Sequence, residues 1–132
     1  MDNPTKEKYL KMALVVFGIV FLLVYPLGVI WPAGWIWHGG QGTYYFQMIC
    51  GIYAVLGIFL IAAARNPAAN RSLIAFTAWS SFAHAALMAM QAFRNLIPRG
   101  ELWGVAALVI IGVALIVLAP AKCVERVSAA VA

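Results

Sequence analysis

Four uninterrupted apolar runs decide what this chain can fold into. They cover about 12–31, 43–64, 73–94 and 102–119, and a helix needs about 20 residues to cross the hydrocarbon of a bilayer. Strands of a membrane barrel would instead alternate apolar and polar residues over about 10 positions, so continuous runs predict helices. A soluble alternative fails on volume. The 132 residues are 65% hydrophobic and only 10% charged, and a chain this short has too little interior to hide such a load from water. The expected fold is all-α: one domain, residues 1–132, built as a four-helix transmembrane bundle.

The connections carry the residues that break helices. Pro32, Gly34, Gly39 and Gly40 fall in the first, Pro67 in the second, Pro98 and Gly100 in the third, and Pro120 closes the last run. Tyr25-Pro26 predicts a kink in the outer half of the first helix, because proline frees a carbonyl one turn earlier. Lys6, Lys8 and Lys11 precede the first run as in a signal peptide. The run is longer than an h-region of about 7–15 residues, however, and no small-x-small cleavage pattern follows it. An uncleaved first helix is expected.

The net charge is +5. Its cations flank the apolar runs, which favours attraction to anionic lipid headgroups over binding of nucleic acid. With the N-terminus inside, seven cations (Lys6, Lys8, Lys11, Arg65, Arg71, Lys122 and Arg126) face the cytoplasm and two (Arg94 and Arg99) face out. This bias predicts both termini in the cytoplasm, in a multi-pass protein of the bacterial inner membrane. Trp31, Trp35, Trp37, Tyr44, Tyr45 and Trp103 gather where the outer headgroups would lie. Cys50 and Cys123 fall at opposite sides of the membrane in this topology, too far apart for a disulfide.

Polar side chains inside a membrane mark where chemistry can sit. In the third run Thr77, Ser80, Ser81, His84, Met88, Gln91 and Asn95 share an arc of roughly 100°, with Arg94 at its edge. Facing lipid would leave these groups unpaired, so the stripe should turn inward. In the second run Thr43, Tyr44, Gln47, Cys50, Gly51, Ala54 and Gly57 form a side suited to close helix approach. A short loop joins these two helices, which should therefore pack antiparallel at the centre of the bundle. Tyr25, Gln47, His84 and Gln91 are then expected to form a polar cluster, with Ser80 and Ser81 beside it and Arg94 at its mouth.

Each candidate has two readings. His84 is a neutral core histidine bonded to a hydroxyl or carbonyl, or it is a ligand-binding or proton-handling group, or it ligates a pigment or a metal. Gln47 and Gln91 are interhelical glue or cavity lining. Arg94 reaches for headgroups or guards the cavity. Arg65 and Arg71 set topology, or they dock an acidic partner or a lipid phosphate.

The catalytic inventory is thin. The carboxylates Asp2, Glu7, Glu101 and Glu125 all lie outside the apolar runs, so no carboxylate pair for general acid–base work is expected, and no metal cluster. His38 falls in an outer loop, so two-histidine haem ligation with His84 fails on depth. No catalytic residue is assigned and no cofactor is specified.

The stretch Gly51-Ile52-Tyr53-Ala54-Val55-Leu56-Gly57-Ile58-Phe59-Leu60, then Ala64-Arg65-Asn66-Pro67, then Asn70-Arg71-Ser72-Leu73 leading to Ser80, Ser81, His84 and Gln91, resembles a family of short, uncharacterised bacterial membrane proteins. It bears a looser likeness to DoxX-type four-helix proteins. The resemblance covers about a third of the chain, implies the four-helix architecture and supplies no reaction.

The expected role is that of a non-enzymatic accessory or oligomerising subunit, partnered by lipids and by copies of itself or a larger membrane complex. The alternative is a binder or carrier of a quinone, lipid or pigment in the cavity around His84. An intramembrane enzyme using His84 with Ser80, Ser81 or Tyr25 is the third reading.

Overall fold

The computed structural model describes residues 4–30, 42–97 and 99–120. They form four α-helices and no strand: α1 (Pro4–Ile30), α2 (Gly42–Ala63), α3 (Arg71–Phe93) and α4 (Leu102–Leu118), with a short 3-10 turn at Arg99–Glu101 before α4. The first loop and the segment after Pro120, with the aromatic cluster at 31–37, His38 and Cys123, lie outside the described residues. Three spans are long and apolar enough to cross a membrane, namely Pro4–Leu27, Arg71–Phe93 and Arg99–Leu118; α2 adds the shorter apolar stretch Gln47–Ala63.

Helix α1 begins at Pro4 rather than at Met12, where the apolar run starts. Local chemistry explains the extension. Proline suits a first helical position, whose amide hydrogen would be unpaired anyway. Glu7 sits in the first turn, where the helix dipole favours an anion. It also pairs with Lys11 at 2.6 Å, one turn on. Packing completes the account, because Leu10 is only 1% exposed and Leu14 fully buried. At about 1.5 Å per residue the 27-residue helix is about 40 Å long, more than a hydrocarbon core of about 30 Å. The helix continues through Pro26 to Ile30.

The 64–70 connection is short because its own groups fasten it. Asn66 accepts from the Ala69 amide through its side chain (3.2 Å), and its carbonyl accepts from the Asn70 amide side chain (2.8 Å). Asn70 occupies the N-cap of α3, but its side chain makes no capping bond to the helix. At the other end α3 stops on Asn95, whose φ of 56° is left-handed. The Leu96 amide donates to the Gln91 carbonyl (2.9 Å) and the Asn95 amide to that of Ala92 (3.1 Å). This is the Schellman stop, in which asparagine substitutes for glycine. Asn95 therefore ends the helix and does not extend its polar stripe.

The helices run alternately up and down. Leu10 and Leu14 of α1 meet Leu60 and Ala63 of α2, Ile74 and Ala78 of α3, and Ile111 and Leu115 of α4 in one buried cluster at the end carrying the 64–70 turn. The pairing differs from expectation. The close pairs are α1 with α2 and α3 with α4, bridged by α1 with α4, whereas α2 and α3 barely approach at the backbone level. Glycines give the reason. Gly18 and Gly57 cross so closely that a Cβ on either would stand 2.6–2.7 Å from the other's carbonyl oxygen. The small-residue side of α2 is thus taken by α1. Gly112 of α4 receives the Phe82 ring of α3, and Gly104 receives Met88.

Candidate functional site

Two inward-facing residues on different hairpins define the site. On α2 the buried positions Cys50, Gly57 and Leu60, with half-buried Tyr53, recur at helical spacing. On α3 the buried positions Ile74, Thr77, Ala78, Ser81 and Ala85 place half-buried His84 beside them. The Tyr53 hydroxyl is hydrogen-bonded to His84 Nδ1. The rings lie nearly parallel, 5.9 Å between centroids and 10° apart, and Phe21 of α1 stacks on the far side of Tyr53 at 5.4 Å and 9°. Three helices thus contribute one ring each to an aromatic cluster, and its single polar contact joins the two hairpins.

The pair has defined hydrogen-bonding capacity. With the phenol donating to Nδ1, Nε2 carries the proton; with Nδ1–H donating to the phenol oxygen, Nε2 is the acceptor. Among the described residues Nε2 has no hydrogen-bond partner. His84 is therefore bonded to a hydroxyl within the protein, and it retains one polar position for a further group.

The three hydroxyls of the stripe are satisfied locally. Thr77 Oγ1 donates to the Leu73 carbonyl (2.9 Å), and Ser80 and Ser81 both donate to the Thr77 carbonyl (3.1 and 2.7 Å). Such bonds to the preceding turn let hydroxyls lie in an apolar setting without a partner helix. The stripe does turn inward at Thr77 and Ser81, both buried. Neither serine hydroxyl is directed to His84, so no serine–histidine couple forms.

The expected four-residue cluster is not assembled. Tyr25 is 43% exposed. Gln47 and Arg94 are exposed, and Gln91 is half-buried. No hydrogen bond among the described residues joins Tyr25, Gln47, His84 and Gln91. The cause is the face of α2. Its expected single side divides in two: Cys50 and Gly57 point inward, while Tyr44, Gln47 and Gly51 point outward. Arg65 is exposed and Arg71 half-buried at the 64–70 end. The described residues contain no group of three or more His, Cys, Asp or Glu able to hold a metal ion.

Tyr53 was missed by sequence reasoning because a lone tyrosine in an apolar run resembles ordinary core. A signal existed: Tyr53 stands three residues after Cys50 and four before Gly57, on the face that the glycine fixes as inward.

A family model described as a family of unknown function (DUF6632) matches residues 4–131. No curated protein and no solved structure matches the chain. The chain belongs to that family.

Proposed function

We infer that this member of the DUF6632 family is a non-enzymatic subunit of the bacterial cytoplasmic membrane that works by associating with copies of itself. The cation bias supports an orientation with the 64–70 turn and both termini in the cytoplasm. One observation carries the functional reading. Gln47 faces outward from α2, one turn from Gly51, and a Cβ on Gly51 would meet nothing within 4 Å. Gln47 has no hydrogen-bond partner among the described residues, and a carboxamide left unpaired toward hydrocarbon costs roughly 2–7 kcal/mol. A carboxamide also complements itself, since it both donates and accepts. Two copies related by a twofold axis would pair these groups, and Gly51 would let the partner helix come close. The test is native mass spectrometry of the full chain after mild extraction, with Gln47→Leu and Gly51→Leu. A dimer or larger assembly that dissociates in the double variant is expected. A wild-type protein that is strictly monomeric would sink the reading.

A second reading draws on the open Nε2 of His84. A quinone, lipid or pigment carrying a polar group would find there a hydrogen-bonding partner backed by Tyr53. Its test is the absorbance spectrum and solvent extract of purified protein, compared with His84→Ala. A ligand retained equally by both would count against it.

A further inference from the structure

A groove of about 400 Å³ runs along the outside of the second hairpin, between the start of α3 and the end of α4. That volume is of the size that takes a small ligand. Its polarity is graded along its length. Arg71 and Ser72 of α3, opposite Ala119 and Pro120, line the end next to the 64–70 turn, and Ala75, Trp79 and Ile116 are among the apolar residues beyond them. Alanine makes the trough: Ala75 and Ala78 lie four and seven residues after Arg71 on one helical face, and remove bulk between the larger side chains. Trp79 is 66% exposed and stands as one wall. Ala78 and Leu115 are fully buried, so the floor is closed and an occupant must lie on it from the bilayer side.

We propose that this groove holds one anionic glycerophospholipid, with its phosphate at Arg71 and Ser72 and an acyl chain along Ala75, Trp79 and Ile116. Charge complementarity selects the occupant. The cation stands at the end that the lysines and arginines place among headgroups, and the apolar trough extends from it toward the bilayer interior. A lipid has the same order of parts. Arginine suits the phosphate because its planar donors match phosphate oxygens. The inference is independent of self-association through α2, which uses the other hairpin and the opposite end of the bundle.

The test is native mass spectrometry of the full chain in mild detergent, titrated separately with phosphatidylglycerol and phosphatidylcholine of identical acyl chains. Wild type is expected to retain one phosphatidylglycerol in preference to phosphatidylcholine. Arg71→Gln should reduce that preference about fivefold, the effect of one cation near an anionic surface, and Arg71→Lys should restore part of it. Ala75→Trp, at an exposed position that leaves the floor untouched, should fill the trough and abolish retention of both lipids with helix content unchanged. Millimolar inorganic phosphate should not displace the lipid. Equal retention of the two lipids by wild type would overturn the proposal, as would unchanged retention in Ala75→Trp. So would displacement by phosphate, or an Ala75→Trp variant that loses its assembly state while keeping its lipid.

Discussion

The two hairpins solve the same packing problem with different materials. In α1–α2 backbone meets backbone, with Gly18 and Gly57 each facing the other's carbonyl oxygen. In α3–α4 a side chain fills the space, the Phe82 ring lying on Gly112. A carbonyl oxygen cannot retreat without moving its helix, whereas a ring can rotate. The first hairpin should therefore be intolerant where the second is adaptable, although both depend on glycines. In lipid this difference matters more than in water, because close packing and not solvent exclusion holds helices together.

The sharpest way to break the comparison is Gly57→Ala. The new methyl would sit 2.6 Å from the Gly18 carbonyl oxygen, so α1 and α2 must part. A loss of about 3 kcal/mol, the upper end of overpacking costs, is expected in reversible unfolding from mixed micelles. Gly112→Ala comes next, at about 1–2 kcal/mol, since the atoms it meets at 2.7 Å are the far edge of the Phe82 ring. Combining it with Phe82→Leu should recover most of that loss, whereas no single side-chain change should rescue Gly57→Ala. If the two glycine variants cost the same, the distinction between the hairpins fails.

Tyr53→Phe probes the seam between the hairpins and not either hairpin. It keeps the ring stack and removes the bond to His84, for an expected cost of about 1 kcal/mol. His84→Ala should add little on top of Tyr53→Phe if the bond is the shared term. Breaking the Glu7–Lys11 pair by Glu7→Gln is the smallest effect, at most about 0.5 kcal/mol and less at high salt, because both side chains are about half exposed.

Helix number and type were legible because continuous apolar runs exclude barrel strands, but among the described residues only three of the four expected spans are long and apolar enough to cross a membrane, α2 being the shorter one. Among the described residues the helix ends at Ala63, Arg71, Phe93, Leu102 and Leu118 lie within two residues of the apolar runs, whereas α1 starts well before its run. There hydropathy marks where lipid begins, while the helix continues until its capping and the burial of Leu10 no longer support it. Helix partners were less legible. Small residues announce that α2 packs closely but not against which neighbour; only the matching glycine on α1, four residues beyond the buried Leu14, decides that. The polar stripe of α3 was legible as inward at Thr77 and Ser81. The bonds it makes were not, since a hydroxyl three or four residues after a helical carbonyl can share that carbonyl with the backbone amide on its own helix. Gln47 and Gln91 look like matched groups on paper, yet Gln47 falls on the exposed part of the α2 face that divides beside Cys50.

The concentration of buried residues at the turn end sets an order of events. Leu10, Leu14, Leu60, Ile74 and Leu115 lock that end, whereas Tyr44, Phe93 and Trp103 at the other are more than two-thirds exposed. Breathing motions will begin at the loose end and travel inward as far as the aromatic cluster. Amide exchange in a deuterated micelle would register that gradient as protection rising residue by residue toward the 64–70 turn.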